Sequence, residues 1–467
     1  MSESTPTGVD ALDRAIGGGF PKGSLVIVAG NPGTGKTTFG AEFLSEGWSR
    51  WGERGLHVSF SESAASLTAT FGPGFGKCCD EGGVRILDFI PLRDEGASAI
   101  TEAIIREAIS HGAKRLVVDS LNALTQSMDP KEVRTFLQAI FGRVVRQMGC
   151  TTIMTLEVPL GSEGVGLGIE EFVADGLILL RRGDIEGRIF RELEIIKLRG
   201  RKIERPKMAF TLEGGFRAIP PFAEDWIGER GKFEPMPDPK GGFSTGNEGL
   251  DALLGGGFRA GSFALLELAM DLPRGAYNLI RIPIWLNFIA NGNRLLAIPN
   301  ISASARAYRS LLTEFMDEGK FDGSAKIAEL AREGPLEPYA FRLEGRDPSA
   351  DFRTILRILR RLRERGGGKC IVYVGWDAID RFYGSEGRKL LALLFPEVKY
   401  NGDLLLGVVK PGTSFIDDLR RSADYHLKLV LMNGAPFLYG VKPRTAIYHF
   451  ERDPSKNYPK CLFTEIV

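Results

Sequence analysis

Eight residues, "GNPGTGKT" at positions 30–37, combine the side chains and the spacing that polyphosphate chemistry needs. Gly30, Gly33 and Gly35 leave room for backbone N–H groups to turn inward toward phosphate oxygens. Lys36 supplies a charge for the β- and γ-phosphates, and Thr37 a hydroxyl for Mg2+. An apolar run, "SLVIVAG" (24–30), precedes the loop and a helical pattern, "TTFGAEFLSEGW", follows it. The loop therefore lies between a strand and a helix N-terminus, whose field also favours an anion. The expected nucleotide-binding stretch is Gly30, Asn31, Pro32, Gly33, Thr34, Gly35, Lys36, Thr37 and Thr38.

Three other stretches carry side chains suited to the same chemistry. "RLVVDS" (115–120) ends an apolar strand on Asp119, which could hold a Mg2+-bound water or simply cap a helix. "HVSFSESAASL" (57–67) places Glu62 just past another strand, where a carboxylate could orient or deprotonate an attacking water. Ser61 or Ser63 acting as a helix cap accounts for that stretch equally well. "EIIKLRGR" (194–201) sets Lys197 and Arg199 on one face of a strand. Two cations there suit a γ-phosphate supplied by a neighbouring subunit, or an exposed basic strand end.

The elements that must position these residues are legible as a repeat. Residues 7–24, "TGVDALDRAIGGGFPKGS", reappear at a constant offset as residues 245–262, "TGNEGLDALLGGGFRAGS". Between the copies, "WIGERGKFEPMPDPKGG" (226–242) alternates prolines and suits an extended linker. The expected organisation is a domain over 1–225, a linker over 226–242 and a second domain over 243–467. In the first half, apolar runs at 24–30, 55–60, 84–89, 115–120, 151–157 and 176–182 alternate with helical patterns at 37–50, 97–111 and 131–148. Continuous apolar strands alternating with helices predict an α/β fold, a mostly parallel sheet covered on both faces, in each half.

Composition narrows the setting. The 467 residues are 43% hydrophobic and 25% charged with a net charge of +1, so no global field draws the chain to nucleic acid or membrane. Five scattered cysteines form no disulfide framework or metal pair, the N-terminus is polar, and no apolar run is long enough to span a bilayer. A cytoplasmic protein is expected.

Taken together, "TGVDALDRAIGGGFPKGS", "GNPGTGKT", "GIEEFVADGLILL" (168–180) and "EIIKLRGR" resemble the KaiC branch of RecA-type ATPases over about residues 5–220. The resemblance implies two tandem RecA-like domains, Mg2+ and ATP as ligands, and ATP bound at subunit interfaces of a ring, commonly a hexamer. It assigns Lys197, Leu198 and Arg199 to the ATP of an adjacent subunit, and Thr70 to the lining of the nucleotide site. It also implies two adjacent glutamates after the second strand. Here the pair reads Ser61-Glu62, so slow hydrolysis is expected. Pro73, Arg201 and Ile203 depart from the family pattern around the nucleotide.

The second half keeps the repeat and loses the chemistry. Carrying the offset forward lays "LAMDLPRG" (268–275) on "GNPGTGKT". Leu, Asp and Pro stand where glycines are needed, Arg274 replaces the lysine and Gly275 the threonine. The strand "CIVYVG" ends on Gly375 rather than an acid. "YGVKPRTAIY" (439–448) retains Lys442 and Arg444, as a solvated strand end or a vestigial interface contact. "RTILRILRRLRERGGGK" (353–369) has a helical core face of Ile355, Leu356, Leu359 and Leu362, with arginines from Arg353 to Arg365 around the rest. That face suits solvent, an acidic partner or nucleic acid.

The expected protein is a regulatory or assembly ATPase with one active N-terminal site and an inactive C-terminal domain for oligomerisation or recognition of a protein partner. A DNA-handling RecA-type motor and a non-catalytic ATP-binding scaffold are the alternatives.

Overall fold

The Leu25–Gly30 strand shows why a layered fold forms. Leu25, Ile27 and Ala29 pack into one cluster and Val26 and Val28 into another, so both faces of the strand are buried. Each of the leucine, isoleucine and valine side chains contributes about 1.5–3 kcal/mol of burial, and helices must cover both faces to realise it. The structure, a computed structural model, describes residues 3–89, 97–122, 130–159, 174–224, 230–301, 303–331, 334–364 and 368–467. Residues 168–173 of "GIEEFVADGLILL", 226–229 of the expected linker and Arg365 lie outside the described residues. The chain divides into two units, Met1–Pro221 with Ile466–Val467, and Phe222–Glu465.

In the first unit, the described residues form one nine-stranded sheet. Its strands run Arg217–Ala218, Lys207–Thr211, Ile189–Leu198, Gly176–Asp184, Leu25–Gly30, Thr151–Glu157, Arg115–Asp119, Gly55–Ser59 and Val84–Asp88. The six from Gly176–Asp184 to Val84–Asp88 are parallel, and the other three add as antiparallel neighbours. Gly30, Glu157, Asp119 and Ser59 thus end adjacent strands at one edge, where open α/β sheets bind ligands.

The second unit has the same order with one more parallel strand, Ala340–Leu343, at its edge. Ser262–Leu268 occupies the place of Leu25–Gly30, between Leu404–Val409 and Tyr425–Met432. Ala264 and Leu266 face one cluster, Phe263 and Leu265 the other. The chain is therefore α/β, with two tandem RecA-like domains built on mostly parallel sheets. Residues 230–241 carry no helix or strand and lie on the second unit. Phe233 packs edge-on against Tyr458 at 5.2 Å, and the Met236 N–H donates to Asn287 Oδ1 at 2.7 Å.

The repeated motif builds the same loop twice. The Thr7 and Thr245 N–H groups donate to Asp13 and Asp251 Oδ1, each at 2.7 Å. Gly19 and Gly257 have positive φ, and a Cβ there would lie 2.3 Å from Thr5 O and 2.4 Å from Phe243 O. Only glycine fits such a position.

Candidate functional site

The phosphate loop of the first unit begins where the Leu25–Gly30 strand ends and closes on the helix Lys36–Trp51. Gly35 stands before the helix at φ 96°, and a Cβ there would meet Leu212 at 2.7 Å. A Cβ on Gly30 would lie 2.5 Å from Leu180 O and 2.6 Å from Thr34 Oγ1. Thr34 Oγ1 donates to Asn31 O at 2.8 Å, and Asn31 Nδ2 to Val158 O at 2.8 Å. Pro32 and Gly33 are exposed, and Thr37 and Thr38 half-buried on the first helical turn. The loop is thus held from outside while its open side keeps no β-carbon at Gly33.

Lys36 is buried and donates to Gly30 O at 2.9 Å and Asn31 O at 3.0 Å. Burial pushes its ammonium below the ordinary value, with the charges of Glu157 and Asp119 opposing. Those two carboxylates therefore lie within electrostatic reach of the loop lysine. Asp119, 7% exposed, accepts from Thr155 Oγ1 at 2.5 Å on the strand between it and the loop.

Glu62 is held three residues past the Gly55–Ser59 strand, which pairs Ser59 with Asp119. Ser59 Oγ donates to Glu62 O at 2.6 Å and accepts from Glu62 N at 3.1 Å. The Glu62 carboxylate accepts from Ser66 Oγ at 3.2 Å. Ser63 caps the following helix, Ala64–Asp80, by accepting from Ser66 N, so the stretch serves as a cap as well. Thr70 is exposed on that helix, two residues before a kink at Gly72.

Lys197 donates to Ala174 O at 2.8 Å. Lys442 of the second unit donates to the matching Ala423 O at 3.1 Å, and to Arg420 O and Arg421 O at 3.0 and 3.3 Å. The lysine of this motif satisfies backbone carbonyls in both units, so Lys442 is not the solvated strand end expected. Leu198 is buried beside it, and Arg199 and Arg444 are exposed. The aspartates of "VAD" and "SAD" also have one role: Asp175 accepts from Leu25 N at 3.1 Å and Asp424 from Phe263 N at 2.9 Å.

Sequence reasoning missed Glu157 and Arg191. Glu157 pairs in register with Gly30, and its signal was an apolar run, "TTIMTLE", ending on an acid just as "RLVVD" does. Buried Arg191 donates to Gly33 O at 3.0 Å and so fixes the loop from an antiparallel strand. Its position within Ile189–Leu198 carries no local signal. His57 is fully buried with both ring nitrogens lacking a partner among the described residues, and burial pushes its imidazole below the ordinary value with the charge of Asp119 opposing.

The corresponding edge of the second unit is built differently. Arg274 opens the helix Arg274–Ala290 after Pro273, and Val374 and Gly375 end the strand that matches Arg115–Asp119. Tyr277 and Tyr373 hydroxyls meet at 2.9 Å, Tyr373 donates to Asn300 Oδ1 at 2.5 Å, and Asn300 to Asp377 Oδ1 at 2.7 Å. Asp377 is thereby engaged by Asn300. None of these side chains repeats, at the matching places, the lysine, threonine and aspartate that Lys36, Thr37 and Asp119 bring to the first unit.

Residues 5–219 match the KaiC ATPase family, and residues 232–337 match a family described as GvpD basic region 2. The chain is 28% identical to protein GvpD2 of Halobacterium salinarum over 95% of its own length and 94% of that protein's. It is 32% identical to the circadian clock oscillator protein KaiC of Thermostichus vulcanus over 56% of its length, spanning about half, 51%, of that relative. A crystal structure of a KaiC-like protein from Pyrococcus horikoshii is 33% identical with a TM-score of 0.42, covering 47% of this chain and all of that one. Among the described residues no helix is long and apolar enough to cross a membrane. The family match falls on the part of the chain that carries the intact phosphate loop, so residues 5–219 form a KaiC-like ATPase domain.

Proposed function

We propose that the first unit binds ATP with Mg2+ on Gly30–Thr38 and hydrolyses it slowly, and that the second unit is a non-hydrolysing domain for self-association and recognition. The observation that carries this reading is a loop lysine within electrostatic reach of Asp119 and Glu157 in one unit, against Arg274, Gly275 and Val374 at the places of Lys36, Thr37 and Asp119 in the other. Lys36 would exchange its bonds to Gly30 O and Asn31 O for phosphate oxygens. Thr37 and Asp119 would hold the metal, which when bound neutralises charge on the transferred phosphoryl group. Glu62 would orient the attacking water, with Ser61 in place of a second acid limiting the rate.

Subunits would assemble as a ring, a hexamer as in the family, with exposed Arg199 reaching a neighbour's ATP while Lys197 keeps the strand end in shape. Thr70 would line the nucleotide. The protein would act in the cytoplasm as a regulatory or assembly switch. A second reading, ATP as a structural ligand without turnover, is favoured by the Ser66 hydrogen bond that occupies the Glu62 carboxylate.

Turnover by the assembled protein decides between them. Wild type should hydrolyse ATP above background, Glu62→Gln about tenfold more slowly, and Arg199→Ala should lose rate only in the assembled state. Absence of turnover in wild type with nucleotide still bound selects the scaffold reading. An equal rate for Arg199→Ala in rings removes its role across the interface.

A further inference from the structure

The helix Pro348–Glu364 of the second unit buries Ile355, Leu359 and Leu362, and every basic residue on it is arginine. Arg353, Arg357, Arg360 and Arg361 are exposed at i, i+4, i+7 and i+8, which places them along one side. Arg363 is spent within the fold, on Glu397 at 2.7 Å and Asp403 at 2.5 Å. None of the other four makes an ion pair among the described residues. Of the two acids on the helix, Asp351 is buried and taken by Tyr383 Oη at 2.6 Å and by the Glu344 and Gly345 N–H groups, which leaves Glu364 at the far end.

Leaving four guanidinium groups unneutralised on a chain of net charge +1 is a local device rather than a global one. At about 1.5 Å rise per residue the four span roughly 12 Å. A nucleic-acid strand laid along such a row brings successive phosphate charges to it. The planar fork of arginine suits phosphate oxygens better than lysine does.

A second feature points to the same ligand. Tyr400, on the adjoining helix Arg388–Asn401, is 90% exposed. Its turn is fastened to the C-terminal end of the arginine helix through Arg363 and through Lys369 Nζ, which donates to Asn401 O at 2.7 Å. An exposed ring on a helix fastened to the arginine helix offers a stacking platform for a base, which an acidic peptide would not use.

We propose that this face binds single-stranded nucleic acid, with Arg353, Arg357, Arg360 and Arg361 on phosphates and Tyr400 under a base. The inference rests on the recognition role given above to the second unit, and its readout does not depend on ATP turnover. The experiment is fluorescence anisotropy of the full chain with labelled oligothymidylate and oligouridylate of about 20 nucleotides across a salt series. Binding should weaken with salt. Replacing the four arginines by glutamine should weaken it at least tenfold and flatten the slope of log affinity against log salt by about 2–3. Tyr400→Ala should weaken it about fivefold or more. Unchanged binding in the four-glutamine variant, or equal affinity for a labelled oligoglutamate with no effect of Tyr400→Ala, overturns the proposal. Loss of the inference with turnover intact leaves the first unit's proposed activity standing.

Discussion

The two units share a strand order, a motif loop and an aspartate anchor, yet the layer between the loop helix and the sheet is filled in opposite ways. In the first unit Arg115, on the sheet, is fully buried against Gly47 of the helix. It donates to Glu53 at 2.7 Å and to Pro6 O and Phe43 O at 2.8 Å, and lies 4.6 Å from the Phe43 ring. In the second unit the place of Gly47 is taken by Trp285 and that of Arg115 by Cys370. The buried cation comes from the helix instead: Arg281, at the Phe43 position, stands 4.7 Å from the Trp285 and Tyr308 rings and 5.0 Å from Tyr277. Each core change has a compensating partner, because packing density tolerates neither void nor overlap. The loop changes follow no such exchange: three glycines, a lysine and a threonine of the first loop give way to leucine, aspartate, proline, arginine and glycine. The difference teaches that the fold is kept where the sequence of the phosphate loop is not.

The largest expected effect tests that separation directly. Lys36→Ala should lower ATP turnover at least a thousandfold, while Arg274→Ala should leave it unchanged. Turnover that falls equally with Arg274→Ala would show that the second unit takes part in hydrolysis. Next in size is Trp285→Ala, expected to destabilise the second unit by about 3–5 kcal/mol through a cavity beside Arg281. Chemical denaturation should then show an early transition with nucleotide binding by the first unit retained. Gly47→Ala is the mirror test, because its Cβ would lie 2.4 Å from Arg115 Cδ. It should cost about 1–3 kcal/mol in the first unit only.

A pH effect sharpens the comparison further. Burial raises the Glu42 carboxyl to about 7 on the loop helix, and Ile280 stands at the matching place in the second unit. The folded state therefore holds a proton that the unfolded state releases near 4.5, so stability falls as pH rises from about 4.5 to 7. Glu42→Gln should remove that slope and raise first-unit stability at pH 7.5 by about 1–3 kcal/mol. A slope that persists in the variant would assign it to another group.

Much of this was legible in the chain. Six apolar runs of the first half became the six parallel strands, because burial on both faces demands continuous apolar residues whatever the partner. The loop and its helix were equally readable, since glycine freedom, a charge and a hydroxyl act over eight neighbouring residues. The antiparallel strands beyond Gly176–Asp184 and the extra edge strand Ala340–Leu343 carried weaker patterns, because half-exposed edge strands need no continuous apolar run.

What the sequence determined by itself was local: which half carries the glycine, lysine and threonine pattern of a phosphate loop, which half departs from it, and where strands and helices alternate. Only the tertiary structure decided that Arg191 holds Gly33, that Glu157 ends beside Gly30, that Lys197 and Lys442 serve carbonyls, and that Arg115 and Arg281 exchange sides of one layer. Each of those depends on side chains far apart in the chain meeting across strands. Residue type states what a group can bond, and the packing of the sheet states which group it meets.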